Sequence, residues 1–142
     1  MSRLKRYLQE PVYARMYELV RAAGAVRPIS LDLTTKCNLR CTGCYYYAEE
    51  MDKVDYRPDD EAFDAMIESE RARGTNFVTV VGGEPALEPG RLKKLHRHFR
   101  MNVATNGLIR IPYEGLENMP MGVAIWGSRE TDARLRGQPV EE

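Results

Sequence analysis

All three cysteines of the chain sit in one short stretch, residues 34–47, which reads Thr-Thr-Lys-Cys-Asn-Leu-Arg-Cys-Thr-Gly-Cys-Tyr-Tyr-Tyr. Cys37, Cys41 and Cys44 are spaced C-x3-C-x2-C. Three thiolates this close can grip one metal centre from a single loop. An iron–sulfide cluster is the natural tenant, because thiolate is its usual protein ligand. Three ligands instead of four would leave one iron open to a small molecule. The competing tenant is zinc, with a fourth ligand from His96 or His98. Those histidines lie two apart on a predicted helix, so both cannot face one metal. Zinc sites also usually pair C-x2-C twice, and only one such pair is present.

Other residues could serve a ligand beside that centre. In Gly82-Gly83-Glu84-Pro85 two glycines let the backbone turn sharply and come close to a bound molecule. Glu84 and free carbonyls could accept from an ammonium group. Taken alone, the segment reads better as a plain surface turn. Thr105-Asn106-Gly107 and Trp126-Gly127-Ser128 each follow an apolar run. Asn-Gly is a common turn, and Ser128 could equally cap the helix after it.

The elements that must position these groups follow a rhythm of strand, loop and helix. Residues 11–23 read as a helix with Val12, Met16, Val20 and Ala23 on one stripe, expected to cover the bottom of a core. Residues 29–34 alternate as a strand and run into the cysteine loop. Residues 59–73 read as a helix capped by Asp59 or Asp60, with Phe63, Met66 and Ile67 inward and Gly74 beyond its end. The β-branched run 77–81 fits a strand buried on both faces and leads into Gly82. A helix is expected over 91–99, a strand over 101–105, at most a short helix over 112–118, a strand over 121–126, and a helix begun at 130–135 that gives way at Gly137-Gln138-Pro139. The order implies an α/β fold of parallel β/α units, with the reactive loops on the rim at the strands' C-terminal ends. Residues 1–28 read as an N-terminal helical extension and 29–142 as the core domain.

The pairing of Cys37-x3-Cys41-x2-Cys44 with a downstream Gly82-Gly83-Glu84-Pro85 resembles the radical S-adenosylmethionine (radical SAM) superfamily, from about residue 29 to the end. The resemblance implies a 4Fe–4S cluster held by the three cysteines, with S-adenosylmethionine on the fourth iron. It implies that Gly82, Gly83, Glu84 and Pro85 hold the amino group of the methionine half. It gives Ser128 the ribose or carboxylate, and gives Asn106 or Thr105 a contact with cofactor or substrate. Gly43 stands where the family often has an aromatic. Its backbone could still meet the adenine, with Tyr45 or Tyr46 supplying the stacking. Arg40 could help hold the cluster or simply face solvent. The implied chemistry is reductive cleavage to a 5′-deoxyadenosyl radical that abstracts hydrogen from a substrate the sequence does not identify. An outside one-electron donor of flavodoxin or ferredoxin type is required, and oxygen should destroy the cluster. The alternative is a non-catalytic iron–sulfur or zinc module.

The implied fold is part of a TIM barrel of six β/α units, of which about four strands are visible here. A truncated product of a longer gene, completion by self-association or another subunit through an open sheet edge, and a degenerate copy would each account for this; the first is preferred. Activity of the chain alone is therefore an open expectation. Composition adds exclusions. Lys plus Arg and Asp plus Glu are 21 each, so no global basic field draws the chain to nucleic acid. No apolar run approaches a membrane span. No apolar signal region follows the basic N-terminus, and clustered cysteines argue for a reducing, cytoplasmic setting.

Overall fold

The computed structural model describes residues 7, 9–22, 24–47 and 59–137, the side chains of Arg21 and Tyr47 excepted. Ala23, Arg57, Pro58, Gln138 and Pro139 lie outside the described residues.

Four strands form one parallel sheet in sequential order: β1 (Pro28–Asp32), β2 (Phe77–Val81), β3 (Arg100–Thr105) and β4 (Met121–Val123). Pro28 pairs with Phe77, Phe77 with Arg100, and Val103 with Met121. Four α-helices are described: α1 (Pro11–Ala22), α2 (Asp60–Ala72), α3 (Pro89–His96) and α4 (Arg129–Arg136). Sequential order with crossovers of one hand puts the connecting helices on one face of the sheet. The core lies there. Leu31, Val78, Val80, Met101 and Val103 from the strands meet Phe63, Ile67, Leu92 and Leu95 from α2 and α3.

The helices start where local chemistry starts them. Asp59 accepts from the Ala62 N–H at 2.8 Å and caps α2, with Asp60 and Glu61 at its positive end. Proline opens α3, where a missing N–H costs nothing. Gly137 closes α4 in the left-handed conformation.

Several expectations need correction. Helix α1 forms, but its stripe faces solvent: Val12 is 68% and Val20 65% exposed. Periodicity marks an apolar face without saying what covers it. β2 is buried on one face only, through Val78 and Val80; Phe77, Thr79 and Val81 are half-buried, because α2 and α3 pack on the other side. Residues 112–118, expected to be at most a short helix, form turns. Gly115 and Asn118 both take positive φ, and Leu116 N donates to Tyr113 O at 3.0 Å. The crossover from β3 to β4 instead buries Ile111, Leu116 and Met119, beside an open cleft of about 490 Å³. β4 pairs over three residues; Ala124 N still reaches Thr105 O at 3.0 Å, and Ile125 and Trp126 are exposed. The sheet is not closed among the described residues.

Candidate metal and cofactor site

The cysteine loop leaves the end of β1, and the glycine turn leaves the adjacent end of β2. Their backbones stay paired beyond the strands. Leu33 N donates to Val81 O (3.0 Å), Gly83 N to Thr34 O (2.7 Å) and Glu84 N to Lys36 O (2.8 Å). The turn is therefore hydrogen-bonded to the residues immediately before Cys37. Gly82 has φ +111°, and a Cβ there would lie 2.8 Å from Leu33 N. A Cβ on Gly83 would overlap the Lys36 carbonyl. Both glycines are demanded by this crossing of backbones, whatever else they bind.

Glu84 is 1% exposed, and its carboxylate is taken up internally. Oε1 accepts from Ala86 N (2.9 Å) and Thr105 Oγ1 (2.6 Å); Oε2 accepts from Asn106 N (2.7 Å). The side chain joins the β2 rim to the β3 rim. Pro85 is buried at the start of a short 3-10 turn, Pro85–Leu87.

Asn106 is where the rim segments converge. Its amide donates to Asn38 Oδ1 in the cysteine loop at 2.6 Å, and its Oδ1 accepts from Leu108 N at 3.0 Å. Its carbonyl accepts from Arg136 Nη2. Asn106 thus ties cysteine loop, Glu84 and α4 together.

Within the cysteine loop Leu39 is buried, and its N–H points at Cys37 Sγ at 3.4 Å. Cys44 N donates to Cys41 O at 3.1 Å, closing a turn whose Gly43 has φ +74° and open space at its Cβ position. The three cysteines are free thiols, each partly exposed. Burial first, then Cys44, pushes the Cys41 thiol up, while Arg136 opposes this; Cys37 adds to the rise. All three cysteines belong to the one loop that leaves β1. Beyond them Tyr45 and Tyr46 pack with ring centroids 4.4 Å apart. Tyr46 is buried, which pushes its hydroxyl well up. Tyr45 is half-exposed and points its hydroxyl at Asp32 Oδ1, 3.4 Å away.

Among the described residues no three His, Cys, Asp or Glu side chains converge on a single metal ion. His96 instead contacts Glu117 O at 3.2 Å, and His98 faces the ring of Phe99. Neither joins the cysteines. A cubane asks for thiolates spread over one patch, since each takes its own iron. The donor set suits it.

Ser128 is placed as a helix cap. Its Oγ accepts from Thr131 N at 3.3 Å and donates to Thr131 Oγ1 at 3.2 Å. Two residues that sequence reasoning passed over do more at this rim. Asp132 Oδ1 accepts from Trp126 N (2.7 Å), fixing the loop after β4. Arg136, 4% exposed, donates to Ala124 O (2.8 Å), Asn106 O and Asp132 Oδ2 (3.1 Å). The available signal was an acid–base pair four apart on one helix.

The model of the family described as the radical SAM superfamily matches residues 31–132, more than half the chain. A GTP 3',8-cyclase of Streptomyces coelicolor is 34% identical over 90 residues, 56% of this chain and 26% of that protein. An Fe-coproporphyrin III synthase of Methanosarcina barkeri is 27% identical over 118 residues, 75% of this chain and 29% of that protein. The chain thus spans less than a third of the length of these relatives.

Proposed function

The chain belongs to the radical SAM superfamily, and on that premise we propose that Cys37, Cys41 and Cys44 carry a 4Fe–4S cluster whose remaining iron takes S-adenosylmethionine. Proteins of this superfamily use that cofactor pair. When bound together, they supply a one-electron cleavage giving a 5′-deoxyadenosyl radical, which can take hydrogen from an unreactive carbon. The observation that carries the reading is the pairing of Gly83 and Glu84 with Thr34 and Lys36. It puts a carbonyl-rich turn beside the loop of thiolates.

The residues divide the work. The Glu84 carboxylate is engaged by three internal donors, so an ammonium group would fall to backbone carbonyls of the Gly82–Pro85 segment. Gly43 leaves open space over its backbone for a base, and half-exposed Tyr45 is better placed to stack than buried Tyr46. Asn106 holds the cysteine loop at its working distance from β3 and offers little free hydrogen-bonding capacity. Ser128 keeps α4 started, and a contact with ribose or carboxylate would use its remaining lone pair. An external reductant of flavodoxin or ferredoxin type is required. Exposed Arg40 within the loop, and exposed Lys36 just before it, which also pairs with Glu88 at 3.4 Å, present positive charge to an acidic carrier. The exposed β4 edge is a natural place for self-association or for a further strand. Substrate and reaction class are left to the part of the molecule that would face the open side of the sheet.

Anaerobic reconstitution with iron and sulfide tests the reading. A brown protein with about four irons per chain is expected, with a visible spectrum that changes on adding S-adenosylmethionine. Cys41→Ala should abolish both. A colourless protein that instead retains zinc would reject the proposal.

A further inference from the structure

The pair of buried Arg136 and partly buried Asp132 sits on the rim and has no part in the reading above. The end of α4 meets the cysteine loop at two neighbouring points. Thr42 N donates to Leu135 O at 2.8 Å, and a Cβ on Gly137 would lie 3.7 Å from Arg40 O. The end of α4 therefore brackets Cys41 from both sides in sequence, with Arg136 between the two contacts. The guanidinium is pinned by the ends of β3 and β4, through Asn106 O and Ala124 O. Asp132 holds it at 3.1 Å. The Asp132 side chain is 18% and the Arg136 side chain 5% exposed, so neither charge is strongly screened by water. An isolated helix-surface pair would not need two further acceptors, Asn106 O and Ala124 O, to fix its cation.

We propose that Arg136 is a positioning residue that fixes a permanent positive charge beside Cys41 and raises the reduction potential of the centre held there, with Asp132 setting how much of that charge is felt. The inference rests on the cluster assignment above. Reduction adds one electron, delivered from outside, and so one negative charge to the centre. A nearby cation favours that state and a nearby anion opposes it.

The two members of the pair should then act with opposite signs. Arg136→Gln keeps an amide donor but loses the charge, and the midpoint should fall. Asp132→Asn keeps an oxygen for Trp126 N but frees the cation, and the midpoint should rise. Arg136→Lys keeps the charge and should stay near the parent value. Each shift should be on the order of tenfold in the one-electron equilibrium, about 59 mV. The experiment is a mediated redox titration of the reconstituted full chain, followed by the spectrum of the reduced centre. Iron content and circular dichroism are read on the same samples. If Arg136→Gln fails to take up a cluster, Asp132→Asn decides alone. Shifts of the same sign in both variants, as general loosening of the loop would give, overturn the inference, and so does no shift in Asp132→Asn. A parent protein that assembles no cluster overturns the function itself.

Discussion

Gly83 sits where an added methyl group has nowhere to go, and that makes the turn testable without any ligand. Gly83→Ala should cost more than about 2 kcal/mol, because the obstruction is the Lys36 backbone and not a mobile side chain. Gly90→Ala, in the first turn of α3 with nothing within 4 Å, should be neutral or stabilise by about 0.5 kcal/mol. Urea midpoints check both, and equal losses would contradict the crossing of backbones described above. Glu84→Ala should cost about 3 kcal/mol or more, since it strands the Thr105 hydroxyl and two backbone N–H groups. Glu84→Gln, which still offers one acceptor oxygen, should cost less. The cysteine spacing was legible because all its members lie in one loop. The Glu84 strut was not, because its partners Thr105 and Asn106 are 21 and 22 residues away and no local pattern signals them.

At the scale of elements, alternation and 3.6-residue periodicity located the strands and helices well. They did so where one face is buried, as in α2 with Phe63 and Ile67 inward. They failed where covering matters more than pattern. Helix α1 carries an apolar stripe that nothing among the described residues covers, and β2 carries an apolar run of which only one side is packed. Helix α4 was expected to be barely formed, yet it carries the cap of Ser128 and the Asp132–Arg136 pair. Ser128→Ala should cost about 1 kcal/mol through the lost cap. It should also weaken the grip of α4 on Thr42, seen as faster amide exchange there. Stability unchanged by the substitution would argue that Ser128 is not the cap. Between α2 and α3, Asp64 and then Asp60 raise the Lys94 ammonium above its ordinary 10.5. That contribution is fully present below the unfolded value and is lost as pH rises through the higher folded one. Asp64→Asn should therefore flatten the alkaline fall in the urea midpoint. An unaltered fall would assign the loss to other groups.

At the scale of the molecule, one face of the sheet is packed by α2 and α3, and among the described residues the other face is open. The open face presents Ser30, Asp32, Thr79 and Asn102, and the Asn102 Oδ1 is buried without a partner there. The sequential order of parallel strands was legible in the β/α rhythm. The emptiness opposite the helices was not, since strands expected to be buried twice look much like strands buried once. Exposed Met121 and Val123 on the β4 edge should make the chain associate as concentration rises, and Val123→Lys should reduce that in sedimentation velocity. A chain that stays monomeric at all concentrations would contradict the exposed edge. All of this matters for function only if the rim holds a cluster with one iron free of side chains. Mössbauer spectra of protein reconstituted with ⁵⁷Fe ask that directly. One iron of the four should change its parameters when S-adenosylmethionine is added, while the other three keep theirs; four irons that all ignore the addition would contradict a site open on one iron.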